Sequence, residues 1–378
     1  MTILTNARIV LADDVVHGTL VMDGTRIAEV QPGVSAAPGA VDMEGDTLIA
    51  GAVDLHTDNL ERQVQPRSNA RWPSRSAMMT HDAQCAAAGV TTVLDALCLG
   101  DLGFDKDRIR TFIDGVADGD ALLGTGLLKS EHFLHLRCEL PAVNVLELFD
   151  PVADHKRVRM ISLMDHSPGV GQYANLDRYR LLRRKEGLDP AYVESRILEL
   201  QAQRDRTRTP NRKALLERVR QVAPDVTLAS HDDRTQEEID ENHRDGIRIS
   251  EFPVSMLAAT AAKAHGMEVI AGAPNIVRGG SHSGNVSAAD LVREGAVDAF
   301  ASDYVPASLV EAAFYSMHET GITLPAAMAL ISRRPAEMAG LTDRGQIAPG
   351  LRADVVRVRV HEALPVVRQV WRAGERVI

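Results

Sequence analysis

Residues 51–58 read GAVDLHTD, an apolar run from Ala52 to Leu55 that ends in His56-Thr57-Asp58. In a β-strand alternate side chains point the same way, so His56 and Asp58 share a face and can grip one ion. The other reading of so short a spacing is a buried histidine beside a helix-capping aspartate. Seven further stretches repeat the design: GVTTVLDAL, HFLHLRCEL, RVRMISLMDHSPG, VTLASHDD, IRISEFPVS, MEVIAGAPN and AVDAFASDYVP. Each is an apolar run closed by a polar or charged tip. Helix-compatible segments lie between them, among them SAMMTHDAQCAAA, DRIRTFIDGVADG, VSMLAATAAKAH and SAADLVREGA. Eight strands alternating with helices predict an α/β fold, a (β/α)8 TIM-type barrel over residues 51–344. Active sites of such barrels lie at the C-terminal strand ends. The unusual residues fall there: His56, Asp58, Glu139, Asp165, His166, His231, Asp232, Glu251, Asn275 and Asp303.

The two ends of the chain read differently. GTLVMDGTRIAEV sets Asp23-Gly24 between two alternating apolar runs, a hairpin signal. GQIAPGLRADVVRVRV and PVVRQVWRAGERVI alternate in the same way, with Pro349-Gly350 and Ala373-Gly374 as turns. Residues 1–50 and 345–378 are therefore expected to pair into a small β-sandwich, although two separate subdomains would give the same pattern. One connection breaks the barrel rhythm. The segment at about 172–222 is too long for an ordinary crossover, and its apolar residues recur at helical spacing (Ile197, Leu198, Leu200; Leu215, Leu216, Val219). It is expected to be a helical insertion. Its arginines Arg178, Arg180, Arg183 and Arg184 read either as a solvated face or as help for an anionic substrate, and its Leu and Glu repeats suit a homo-oligomer contact.

Composition narrows the class. The chain has 378 residues, 45% hydrophobic and 25% charged, and a formal charge of −10, which argues against a generic binder of nucleic acid or anionic membranes. No signal peptide is read after Met1 and no run is long enough to cross a bilayer. Cys85, Cys98 and Cys138 are odd in number and form no CxxC pair, which suits a reduced, cytoplasmic enzyme.

Imidazole and carboxylate together suit one or two divalent metal ions, zinc first, with manganese, iron or nickel also compatible. A catalytic metal leaves a position open for water and lowers its pKa. His56 and Asp58 would hold one ion, His166 and His231 the other, and Glu139 could bridge. Asp303, closing the last strand, can both ligate and take a proton from the nucleophilic water. The bland alternatives are specific. Glu139 could pair with Arg137, Asp165 competes with His166, Asp232 or Asp233 could cap the next helix, and Glu251 is either a ligand or a base behind the ligands. NIVRGGSHSGN, residues 275–285, mixes Arg278, Gly279 and Gly280 with the donors Ser281, His282 and Ser283, a combination suited to phosphate. Arg62, Arg67, Arg71 and Arg75 add a second basic cluster after the first strand, so a polyanionic small molecule is the expected substrate.

With GAVDLHTD, AAAGVTTVLDA, ASDY and GQIAPGLRADVV in view, the chain resembles the amidohydrolase superfamily over nearly its whole length. It departs from the usual pattern at three places. Asp58 stands where most members carry a second histidine, RMISLMDHSPG lacks the lysine that is commonly carboxylated, and ISEFPVS offers Glu251 instead of a histidine. Those departures, with VDLHTDNLERQ, HLRCEL, LMDHSPGVGQY, SHDD, SEFP, APNIVRGGSHSGN and ASDYVP, are similar to one branch. It is the diphosphatase family of the carbon–phosphorus lyase pathway of phosphonate metabolism. The resemblance implies metal-dependent hydrolysis of a ribosyl 5-triphosphate carrying a 1-methylphosphonate, giving the 5-phosphate and pyrophosphate. It implies metal ligands among His56, Asp58, Glu139, His166, His231 and Asp303, with Asp303 as base and His282 a candidate at the leaving group. Arg62, Arg67, Arg137, Arg278, Gly279, Gly280, Ser281 and Ser283 would meet the anions. Two rivals are an amidohydrolase or deaminase acting on a C–N bond, and a non-catalytic scaffold barrel.

Overall fold

The structure, a computed structural model, describes residues 1–67, 70–102, 107–280 and 285–378. All eight apolar runs form strands: Ala52–Thr57, Val90–Leu99, Glu131–Glu139, Val158–Met164, Thr227–His231, Ile249–Glu251, Glu268–Gly272 and Ala299–Ala301. Each lies parallel to the next in sequence order. The ring is closed by a parallel bridge from Thr57 to Asp303. There the Asp303 N–H donates to the His56 carbonyl at 2.9 Å and the Asp58 N–H to the Asp303 carbonyl at 3.0 Å. Every strand gives at least one side chain to a single apolar cluster, including Val53, Leu94, Phe133, Met160, Ala229, Ile249, Ile270 and Ala299. That packed interior leaves the strand ends, not the barrel axis, for chemistry.

The two ends of the chain meet in one sheet. Thr47–Ala50 runs antiparallel to Val355–His361, which joins the N-terminal hairpins to the C-terminal ones. This sheet has its own core, with Leu4, Leu20, Met22, Leu48, Val355 and Trp371 among its members. Gly374, in the left-handed region at φ +79°, is required because a Cβ there would strike the Gly24 carbonyl of the Asp23-Gly24 hairpin turn. Among the described residues no helix is long and apolar enough to cross a membrane.

Between the fourth and fifth barrel strands lie the helices Leu176–Lys185 and Pro190–Val222. The longer helix starts where its sequence dictates. Asp189 accepts from the Ala191 and Tyr192 amides, and Pro190 takes the first turn, where no N–H is needed. Gln203, Thr207 and Asn211 then bond the carbonyls of residues 140–142, which anchors the loop directly after Glu139.

A buried polar chain ties the helix Ser74–Ala87 to the second and third strands. His132 faces Asp82 through Nε2 at 3.1 Å and Asp95 through Nδ1 at 3.0 Å, so both ring nitrogens donate and the ring is an imidazolium. Asp95 also accepts from His81 Nε2 at 2.8 Å, and the Asn59 amide donates to His81 Nδ1 at 3.1 Å. Burial pushes the His132 pKa down, but the Asp95 and Asp82 carboxylates outweigh it and raise it to about 9. Because the folded value is raised, this stabilisation is complete below the ordinary imidazole pKa and is lost as pH rises through about 9. Denaturant unfolding should show up to about 3 kcal/mol of stability lost between neutral and alkaline pH. His132→Gln, which has no titrating group there, should lack that component; equal losses in both proteins would refute the imidazolium.

Candidate active site

At the C-terminal strand ends lies a cavity of about 790 Å³, lined by His56, Asp58, Glu139, His166, His231, Asp232 and Asp303. Its organising residue is Glu251, fully buried at the end of the sixth strand. One carboxylate oxygen accepts from His56 Nδ1 at 2.8 Å. The other accepts from His231 Nδ1 at 2.8 Å and from the Ser162 hydroxyl at 3.0 Å. Burial alone would raise the Glu251 pKa, yet the His56 and His135 rings beside it hold it well below the carboxylate range. With Nδ1–H fixed on Glu251, both histidines keep Nε2 as a free lone pair. Their rings stack with centroids 5.8 Å apart.

Glu139 does the same for His166. Its two oxygens accept from the His166 ring Nδ1 at 2.6 Å and from the His166 amide at 2.8 Å. The alternative pairing of Glu139 with Arg137 is not formed. Arg137 instead faces Asp58 and Glu61, at 3.8 and 3.9 Å, and its buried Nε and Nη1 have no hydrogen-bond partner. Asp165 turns away from the centre to Arg204, at 2.6 Å, which leaves His166 as the fourth-strand residue of the cavity.

Asp232 and Asp303 are aimed by their backbones. Both sit in the left-handed region at φ +55°, which Asp tolerates better than most residues. Asp232 reaches His166 Nε2 and His231 Nε2, each at 3.9 Å. Ligand atoms of these three residues lie within 4.8 Å of one another. Burial, then the neighbouring Asp58 carboxylate, push the Asp303 pKa up to about 8.

The donor set fits a divalent cation. Nε2 of His56, His166 and His231 is left over by carboxylates bound on the opposite nitrogen, the usual support of a metal-ligating imidazole. Asp232 Oδ2 and Asp58 Oδ1 are buried acceptors with no hydrogen-bond partner. A cation held by His166, His231 and Asp232 would satisfy the Asp232 oxygen, and positive charge in the cavity would favour the ionised form of Asp303. Two other acid–histidine groups, His56/His135/Glu251 and His81/Asp95/His132, already have hydrogen-bond partners: Glu251 takes His56, His135 faces the Leu55 carbonyl and the Ser162 hydroxyl, and Asp95 takes His81 and His132.

The basic residues divide. Arg62 and Arg278 line the cavity, and both contact Tyr304. Arg67 and Gly279 are exposed and outside the lining, and the half-buried Gly280 is outside it too. Arg71 and Arg75 are tied to Asp114 and Asp118, at 2.8 and 3.0 Å, and so brace a helix instead of the rim. Of Arg178, Arg180, Arg183 and Arg184 only Arg183 lines the cavity; Arg180 is held by Glu194 and Asp177. Ser281, His282 and Ser283 lie outside the described residues. Sequence reading did not single out His135, which packs edge-on to His56 with centroids 5.0 Å apart. Its position two residues before Arg137 and four before Glu139 puts all three on one strand face, and that was the available signal. It also did not single out Arg108 and Tyr173, which line the cavity.

No family profile matches the chain. Among solved structures it is similar to the N-acetyl-D-glucosamine-6-phosphate deacetylase of Mycobacterium smegmatis, with a TM-score of 0.62 and 15% identity over 100% of both chains. It is also similar to the 5-methylcytosine deaminase of Klebsiella pneumoniae, with a TM-score of 0.63 and 14% identity, covering 100% of this chain and 98% of that one. These likenesses show the fold alone, a parallel barrel with a second sheet. Much higher similarity is found in the α-D-ribose 1-methylphosphonate 5-triphosphate diphosphatase of Escherichia coli (strain K12). It is 42% identical over 378 residues, which cover 99% of this chain and 100% of that protein. The chain therefore belongs to the α-D-ribose 1-methylphosphonate 5-triphosphate diphosphatase family.

Proposed function

We propose that the protein hydrolyses α-D-ribose 1-methylphosphonate 5-triphosphate to the 5-phosphate and pyrophosphate. The observation that carries this is the 42% identity to a diphosphatase along the full length of both chains. The cavity agrees with it, because arginines surround a histidine–aspartate centre, and a neutral cyclic amide would have no use for them. His56, Asp58, His166, His231, Asp232 and Asp303 are the residues that would hold one or two divalent cations, with zinc the first choice for imidazole and carboxylate ligands. A cation held there supplies Lewis acidity at the reacting phosphoryl group.

The chain's own groups do the rest. Asp303, ionised in the loaded site, accepts the proton of the attacking water. The water oxygen bonds to phosphorus, the α–β anhydride breaks, and its electron pair leaves on an anionic oxygen. Arg62, Arg137 and Arg278 neutralise the phosphates as that charge develops. Glu139 and Glu251 hold the imidazoles in the tautomer that presents Nε2, and Glu139 keeps this role in place of a bridge between two ions.

Phosphorus NMR on zinc-loaded protein should show pyrophosphate appearing together with a 5-phosphate. Chelation should abolish the signal and zinc should restore it. Release that persists unchanged through chelation would sink the cation dependence, and intact substrate under loaded conditions would sink the diphosphatase reading.

A further inference from the structure

The arginines of the cavity do not form one ring. In the cyclic order of the barrel, Arg62, Arg278 and Tyr304 follow the first, seventh and eighth strands, which are neighbours across the seam. Arg108 follows the second strand, Arg137 lies near the end of the third, and Tyr173 and Arg183 follow the fourth. One arc is therefore centred on the eighth strand, and a second, of Tyr173 and Arg183, lies opposite it after the fourth, with Arg108 and Arg137 between the two.

Their charge balance differs. Arg62 donates to the Tyr304 carbonyl at 2.8 Å and Arg278 reaches the Tyr304 hydroxyl at 3.5 Å. Neither has a carboxylate partner among the described residues. On the other side Arg183 pairs with Glu186 at 2.9 Å, while Arg108, between the two arcs, pairs with Glu61 at 3.2 Å. The Arg183 guanidinium also lies 4.9 Å from the Tyr179 ring centroid and 5.9 Å from that of Tyr173. The first arc is uncompensated; the second is partly neutralised and aromatic.

The substrate proposed above is divided in the same way. With its α–β anhydride at the histidine–aspartate centre, the departing diphosphate and the ribosyl methylphosphonate extend to different sides, because they are the two halves joined through that anhydride oxygen. The diphosphate is a polyanion and requires cations that no carboxylate has already balanced. A phosphonate monoester carries a single negative charge and a methyl group, which suits a half-balanced arginine against aromatic faces.

We infer that Arg62 and Arg278 hold the departing diphosphate, while Arg183 and Tyr173 hold the 1-methylphosphonate and make the wall after the fourth strand the specificity element. The inference rests on the diphosphatase reading, since only that substrate has two anionic ends. It sets this substrate apart from nucleoside triphosphates, which carry no phosphonate anion for Arg183.

Product binding tests it without turnover. Inorganic pyrophosphate and ribose 1-methylphosphonate 5-phosphate are titrated separately into zinc-loaded wild type, Arg183→Gln and Arg278→Gln, with binding read by calorimetry. Arg183→Gln should weaken the ribosyl product roughly 10- to 150-fold and change pyrophosphate by less than about twofold. Arg278→Gln should do the reverse. If Arg183→Gln weakens both ligands alike, or neither, the two-arc assignment is overturned while the reaction stands. If wild type binds neither product and releases no pyrophosphate from the triphosphate, the underlying reading is overturned instead.

Discussion

Replacing Asp303 by asparagine is expected to lower pyrophosphate release by about 10²- to 10⁴-fold, the usual worth of a positioned general base. Asparagine keeps the shape of the side chain and removes its ability to take a proton. It also suits the backbone, which holds residue 303 at φ +55°, where Asn and Asp are both tolerated. The two main-chain bonds across the seam do not involve the side chain, so they survive. The melting temperature should therefore stay close to that of wild type. Alanine is the worse probe, because a left-handed alanine adds about 1–2 kcal/mol of strain and mixes stability with chemistry. Turnover of Asp303→Asn within a few-fold of wild type, with zinc bound, would remove Asp303 from the role of base.

The second large effect is expected far from any substrate atom. Glu251→Gln should weaken zinc binding by about 10- to 100-fold. The carboxylate accepts three hydrogen bonds, from His56, His231 and Ser162. An amide has one oxygen to accept with, and its NH₂ can only donate. One histidine must then give up its Nδ1 proton or its partner, and a ring that flips tautomer presents N–H to the metal instead of a lone pair. A buried donor left without an acceptor adds about 1–3 kcal/mol of lost stability. Calorimetric titration of zinc together with thermal unfolding reads both consequences. Wild-type zinc affinity in this variant would show that the imidazoles orient themselves without Glu251.

Much of this site could be read from the chain because its strands are short and end in chemistry. The alternation in GAVDLHTD and the tips of SHDD, SEFP and ASDY place His56, His231, Glu251 and Asp303 at one end of the ring without any knowledge of contacts. What failed to read was long-range pairing. Arg71 and Arg75 looked like part of a phosphate rim, yet Asp114 and Asp118 wait for them on a helix with the same spacing of four. Asp232 was open to reading as a helix cap. The cap is Thr235, which with Glu238 forms a reciprocal capping box, and the T-x-x-E pattern was already visible in TQEE. Once Thr235 takes that task, Asp232 is free for the cavity. Asp233 is used differently, buried among Ser230, Ser250 and Asn242. The division of the arginines into two arcs was not legible at all, since it depends on which strands become neighbours when the ring closes.

That seam has a consequence for how the protein is made. His56 and Asp58 come from the first strand and Asp303 from the last, and the main chain locks them together only across the closing bridge. Closing a loop of this length is entropically unfavourable and cannot be rewarded until the final strand is in place. The strand Val355–His361, which completes the joint sheet against Thr47–Ala50, is later still in synthesis. A chain emerging from the ribosome therefore holds His56 and Asp58 early but cannot bring Asp303 beside them until almost all of it has been released.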